Sequence, residues 1–419
     1  MVDTNPAPSP SAFRRGFIHS AAALVLVASF CVPAAHAAVT TGDPLAPSPP
    51  EPTGPYAVGR TEAHLVDTSR GHPWVEGETE RDLMVGLWYP AEDTPAAEPA
   101  PYVSPSVGDV LTGSLYGAGV PRGAVDAASA TANALQDAPV AEGTEDMPVV
   151  LYSHGFGGSR YTNAANLEEL ASHGYLVVAM DHPYESAAVD LPDGRVLRQS
   201  YPDRETPTYR EAIDTRTLDS RFVLDALEEG DLLPPYLDEV TDIDTVGMFG
   251  HSAGGLTTGE VMLVDDRVAA GANLDGSMAY HVGDEAWADV TTQGVDRPFA
   301  YFGAGLTGAD LPHHSRHHPD LELFRSASTG PFFEVYMADG EHNSYSDDQW
   351  ALPALEARHG LSGRSWEGRL ENIGPIDPET SIAAQRAYLL AFFDAHLRGT
   401  EEPLLSGPSA EFPEMEVID

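Results

Sequence analysis

The pentapeptide Gly250-His251-Ser252-Ala253-Gly254 follows directly on the apolar run Thr245-Val246-Gly247-Met248-Phe249. Such a run reads as a short buried strand, and the Gly255-Leu256-Thr257-Thr258 stretch beyond it reads as the start of a helix. Together they predict a tight strand-to-helix corner with Ser252 at its tip. Small residues two before and two after that serine let strand and helix approach without a Cβ clash. Gly-x-Ser-x-Gly is a weak signal in a chain with 39 glycines, so the flanking strand and helix carry the weight. They make Ser252 a candidate nucleophile and imply an α/β architecture.

The rest of the chain agrees with that architecture. Met84–Pro90 reads as an early strand, followed by an acidic, proline-rich loop from Ala91 to Ala100. Apolar runs at 148–152, 175–180, 268–274, 298–303 and 332–337 predict further buried strands. Patterned segments at 163–173, 213–227 and 382–397 predict the helices between them, and the alanine-rich stretch Ala124–Ala138 predicts another at the rim of the site. Strands alternating with helices predict a mostly parallel central sheet with helices on both faces. The expected organisation is a leader at 38–55, flexible and rich in Pro and Ala, one α/β domain at 56–400, and an acidic tail at 401–419. Segments 104–140 and 304–330 are candidate lids.

At the N-terminus, Arg14-Arg15 precedes an apolar run to Val32, and Ala35-His36-Ala37 supplies small residues for a signal peptidase. Residues 1–37 are therefore expected to be a signal peptide of twin-arginine type, cleaved after Ala37, which makes the protein secreted or extracytoplasmic. The apolar run is too short to span a bilayer comfortably, and no second long one follows, so stable membrane insertion is not expected. Cys31 is the sole cysteine and lies in that segment, leaving the processed chain no disulfide or thiol chemistry.

Charge narrows the partners. Acidic residues number 65 against 22 basic ones, all arginine, for a net charge of -43. Phosphate contacts need a cationic surface, so nucleic acid is excluded as a partner. Repulsion among so many like charges is relieved by salt, which makes halophilic adaptation the economical reading.

A serine hydroxyl attacks only when a histidine takes its proton and an acid holds that histidine in the right tautomer. His342, in the loop Ala338–Asn343 directly after the strand 332–337, is the best base. His251 sits inside the corner and is expected to point away; His173 and His396 belong to helices, and His154 is expected to hold its own loop by a hydrogen bond. Asp275, at the end of the strand after the Ser252 helix, is the preferred acid, ahead of Asp310 and Asp339. The backbone N–H groups of Ala253 and of Phe156, in the loop His154-Gly155-Phe156-Gly157-Gly158, are the candidate oxyanion donors. That loop lacks the lysine of a phosphate-binding loop, which excludes a Walker-type nucleotide site. His313-His314 and His317-His318, near Asp310 and Asp320, could bind a metal by spacing alone, but two adjacent pairs do not share a face. They read as a polar lid loop, and no metal or other cofactor is expected.

The succession Leu151–Gly157, Leu170–Ala179, Asp181-His182, Gly250–Gly255 and Leu274–Gly276 resembles the platelet-activating-factor acetylhydrolase family of α/β-hydrolases over roughly residues 81–398. The resemblance implies an α/β-hydrolase fold, Ser252, Asp275 and His342 as a triad, and Phe156 and Ala253 as oxyanion donors. It also implies calcium-independent cleavage of short or oxidised acyl groups from phospholipids, or broader carboxylesterase or polyester-directed activity. Ala253 departs from the bulkier aromatic often found after the nucleophile. The expected function is a secreted serine carboxylesterase acting on small-molecule or lipid-like esters of short acids. A phospholipase A2-like acetylhydrolase or polyester-directed hydrolase is the alternative within enzymes, and a non-catalytic binding protein is the alternative outside them.

Overall fold

Apolar side chains that alternate along a strand enter opposite faces of a sheet, so strands apolar on both faces must lie inside one. The computed structural model, which describes residues 45–46, 48–281, 285–308 and 310–419, is built around such strands. In chain order the strands are β1 (Ala57–Asp67), β2 (Arg81–Ala91), β3 (Pro99–Pro101), β4 (Thr131–Gln136), β5 (Met147–Ser153), β6 (Leu176–Met180), β7 (Ala188–Asp190), β8 (Val196–Arg198), β9 (Thr241–His251), β10 (Val268–Leu274), β11 (Phe299–Ala304), β12 (Phe332–Met337) and β13 (Met415–Val417). The helices are α1 (Pro105–Gly117), α2 (Ala164–Ser172), α3 (Thr206–Glu228), α4 (Pro235–Asp238), α5 (Ala253–Val264), α6 (Asp289–Gln293), α7 (Pro319–Ala327), α8 (Asp348–His359), α9 (Arg364–Glu371) and α10 (Pro378–Leu397).

The main sheet runs β13-β12-β11-β10-β9-β5-β6-β2-β1-β4-β3, and β7 and β8 form a separate hairpin. From β6 through β5, β9, β10 and β11 to β12 every neighbour is parallel. Antiparallel pairing enters at the two sides, through β6 with β2, β2 with β1 and β12 with β13. Val150, Tyr152, Val177 and Phe249 face one core with Leu167 and Leu170 of α2 and Leu389, Phe392 and Phe393 of α10. Their neighbours Val149, Leu151, Val178 and Met248 face the other core with Ile213 and Leu224 of α3 and Leu256 and Val261 of α5. Both faces of the central strands are thus covered, as the strand–helix alternation predicted. Full burial of each such side chain contributes about 1.5–3 kcal/mol, so the parallel centre is the rigid platform on which the site stands.

Three expectations are corrected. The alanine-rich stretch Ala124–Ala138 is not a helix: it holds a 3-10 turn, Ala127–Ser129, and then β4. Ala130, Ala132 and Ala134 are buried while Thr131 is exposed, a period of two that outweighs the helix propensity of alanine once β4 pairs with β1 and β3. Residues 48–55 of the supposed flexible leader are tied down: Asn133 and Arg386 donate to the Pro50 carbonyl, and Thr53 and Gly54 donate to Glu169 and Ser172. The C-terminal tail ends in β13, which pairs with β12 and buries Met415 and Ile418. The segment 1–37 read as a signal peptide lies outside the described residues, which contain no helix long and apolar enough to cross a membrane.

Candidate active site

β9 ends at His251, α5 begins at Ala253, and Ser252 between them has φ 56 and ψ -121. A non-glycine residue at positive φ is strained, and here the strain holds the hydroxyl out from the corner. The flanking glycines permit it. A Cβ on Gly250 would lie 2.2 Å from the Gly254 carbonyl carbon, and one on Gly254 would lie 1.9 Å from the Ser153 carbonyl oxygen.

Parallel strands deliver their C-terminal ends to one edge, and that edge gathers the other candidates. The Ser252 hydroxyl lies 2.9 Å from His342 Nε2, at the start of the 3-10 turn after β12. His342 Nδ1 donates to Asp275 Oδ2 at 2.7 Å, directly after β10. The remaining Asp275 oxygen, Oδ1, accepts from the Ala304 N–H and from His313 Nδ1, each at 2.8 Å. Burial alone would raise the pKa of Asp275. The imidazoles of His313 and His342 reverse that and hold the carboxyl well below its usual range, hence ionised. Among the described residues, neither Asp310 nor Asp339 bonds to His342.

His251 does not point away. Its Nε2 donates to the His342 carbonyl at 2.9 Å, and its ring lies 4.7 Å from the His342 ring. Burial, reinforced by His342, pushes its pKa down to about 3, so it braces the base as a neutral ring.

The loop after β5 is fixed from behind. His154 donates through Nδ1 to the Gly155 carbonyl and accepts at Nε2 from Ser186, holding its loop as expected. Glu185 accepts the Gly157 N–H at 3.2 Å, and Arg216, fully buried, binds both Glu185 and the His154 carbonyl. Among the described residues, the backbone N–H groups of Phe156 and Ala253 donate to no protein acceptor. Sequence reasoning missed Arg216 and Glu185, because nothing in a helix or a loop distinguishes them from surface charges until the fold buries them.

Ser252 and His342 sit where two cavities meet. The larger, about 780 Å³, is walled by Leu111 and Leu115 of α1, Leu352 and Leu355 of α8, and the polar side chains of Asn343 and Asp348. The smaller, about 150 Å³, lies over Ile213, Leu256, Ala279 and Tyr280. Segment 104–140 thus contributes to the cavity wall. Segment 304–330 does not read as a lid: His313, His314, Ser315, His318 and Asp320 are buried, because Glu334 on β12 accepts from Ser315 and Arg325 and pins the segment to the sheet. Among the described residues no group of three or more His, Cys, Asp or Glu side chains is set to hold a metal ion.

Residues 47–220 match the family described as platelet-activating factor acetylhydrolase, isoform II. A probable 1-alkyl-2-acetylglycerophosphocholine esterase of Arthroderma benhamiae is 27% identical over 399 residues, covering 88% of this chain and 93% of that protein. The platelet-activating factor acetylhydrolase of Cavia porcellus is 27% identical over 276 residues, 58% of each. The solved structure of a ferulic acid esterase from Streptomyces cinnamoneus is 32% identical, covers 90% of this chain and 100% of that one, and superposes with a TM-score of 0.71. The chain is an α/β-hydrolase related to the platelet-activating-factor acetylhydrolase and esterase family, and it is an ester hydrolase.

Proposed function

We propose that the protein is a serine carboxylesterase for short-acyl esters, with Ser252 as nucleophile, His342 as general base and acid, and Asp275 as the acid that orients it. The observation that carries the reading is the unbroken relay from Ser252 Oγ through His342 to the buried Asp275 carboxylate, opening into both cavities. Ser252 attacks the ester carbonyl while its proton passes to His342 Nε2. The N–H groups of Phe156 and Ala253 receive the charge that develops on the carbonyl oxygen. His342 then protonates the departing alcohol, and water activated by the same imidazole releases the acid.

The cavity of about 150 Å³ suits a small acyl group, and the one of about 780 Å³ suits a larger alcohol. The name of the fungal relative, an esterase of an acetylated ether glycerophospholipid, supports an acetylhydrolase reading of this division. A series of aryl esters from acetyl to lauroyl, with an acetylated glycerophosphocholine and methyl ferulate alongside, tests it. kcat/KM is expected to be highest at acetyl to butyryl. Equal turnover of lauroyl, or faster turnover of the ferulate, overturns the short-acyl assignment. Labelling by a fluorophosphonate is expected at Ser252. Export is also part of the proposal: N-terminal sequencing of protein secreted by its native host is expected to begin at Ala38.

A further inference from the structure

We propose that His313 is a positioning residue of the esterase: it clamps Asp275 from the side opposite His342 and lends that carboxylate a second, buried positive charge. The inference rests on the triad reading above and concerns an imidazole that the reaction itself never touches.

The carboxylate has two oxygens and two imidazoles. Oδ2 faces His342 and Oδ1 faces His313, with the Ala304 N–H completing Oδ1. A carboxylate held on both oxygens cannot rotate, so the direction of Oδ2 toward the base is set before substrate arrives. His342 is half-exposed and lines both cavities, whereas His313 is about 5% exposed and lines neither. Around it stand Asp275, Asp320 and Glu334 as acids, His318 with its ring at 4.9 Å, and the Tyr301 hydroxyl at 3.4 Å. Burial disfavours charge on His313, but Asp275, its hydrogen bond, Asp320 and Glu334 outweigh it and raise its affinity for a proton. An imidazolium there competes with His342 for the charge of Asp275.

The test replaces His313 by Gln, which retains an N–H donor but no titratable charge, and by Phe, which removes both. Profiles of kcat/KM against pH are recorded on a short-acyl ester. In His313→Gln the acid limb is expected to move up by roughly half to one pH unit, with KM on the plateau changed less than about twofold. His313→Phe is expected to add a loss in plateau kcat of about tenfold or more, partly restored in the Gln variant. An acid limb that stays in place in folded His313→Gln overturns the proposal, as does a uniform loss at every pH. If neither variant folds, imidazole 15N shifts of His313 in the wild-type protein decide: an imidazolium at pH 6 supports the proposal and a neutral ring rejects it. The triad reading fails separately, through fluorophosphonate labelling that misses Ser252.

Discussion

Two serine–histidine–aspartate relays occur in this one molecule. Ser252, His342 and Asp275 form one at the cavity mouth; Ser153, His182 and Asp219 form another beneath the loop that carries Phe156. Their distances barely differ: 2.9 and 2.7 Å in the first, 2.9 and 2.9 Å in the second. Their surroundings differ completely. Ser153, His182 and Asp219 are fully buried, Arg216 donates to the Ser153 oxygen at 3.1 Å, and Arg81 and Arg70 grip Asp219. Burial and then the Arg216 charge push His182 down to about 3, so it cannot take a proton at neutral pH. At the mouth, by contrast, the acid faces two imidazoles, and the serine lines two open cavities. A relay becomes a nucleophile only where access and an available base accompany the geometry. The inner relay instead braces the loop above it, through Ser153, Arg216 and the His154 carbonyl.

The sharpest way to break this contrast is to remove each serine. Ser252→Ala is expected to lower kcat by about four to six orders of magnitude. Ser153→Ala is expected to stay within about tenfold of wild type and to be labelled normally by a fluorophosphonate. A label on Ser153 in the Ser252→Ala protein would erase the distinction.

Removing each acid separates chemistry from folding. Asp275→Asn is expected to lose about 10⁴ in kcat, because the amide favours the wrong tautomer of His342. Asp219→Asn leaves the buried Arg81 without a counter-charge and Arg70 with Asp67 alone, and is expected to cost about 3–5 kcal/mol in urea unfolding. An Asp219→Asn protein as stable as wild type contradicts a structural role for the inner relay.

Acid should act on both relays through their buried neutral rings. His182 and His251 have folded values near 3, below the unfolded value of about 6.5. Between these limits the unfolded chain binds more protons, so stability is full above about pH 6.5 and falls as pH drops. At pH 5 the loss is about 2 kcal/mol for each ring. The depressed carboxyls of Asp219 and Asp275 add losses only further down, below about pH 4, while the raised His313 adds stability as pH falls through its folded value to about 6.5 and contributes a constant amount below that. Urea unfolding at pH 7 and pH 5 measures the balance; a protein more stable at pH 5 contradicts it.

The smallest effect expected is that of salt, which screens the acidic surface and leaves the buried relays alone. Tm is expected to rise by a few degrees between about 0.1 and 2 M sodium chloride. A flat or falling Tm rejects salt adaptation as the reason for the net charge of -43.

Much of this was legible along the chain. Short apolar runs at 148–152, 175–180 and 268–274 announce parallel strands because strands buried on both faces leave no polar alternation. Ser252, Asp275 and His342 stand out because each follows such a run at its C-terminal end. Alanine misled at 124–138, where a period of two was the better guide than propensity. Histidine misled at 313–318, since sequence spacing suggests a ligand or a loop and carries no sign that Glu334, from another strand, pins the segment inside.

Local order along the chain thus determined the elements, their alternation, the corner at Ser252 and the strand ends from which the site is drawn, because those depend on residues close in sequence. Tertiary structure alone decided which ionisable groups meet. Asp275 acquires His313 as well as His342, Asp219 acquires Arg81 and Arg70, and Ser153 acquires Arg216, from elements 38, 67, 138, 149 and 63 residues away. Charge and proton affinity depend on distance through space and on burial, and neither is written in the order of residues.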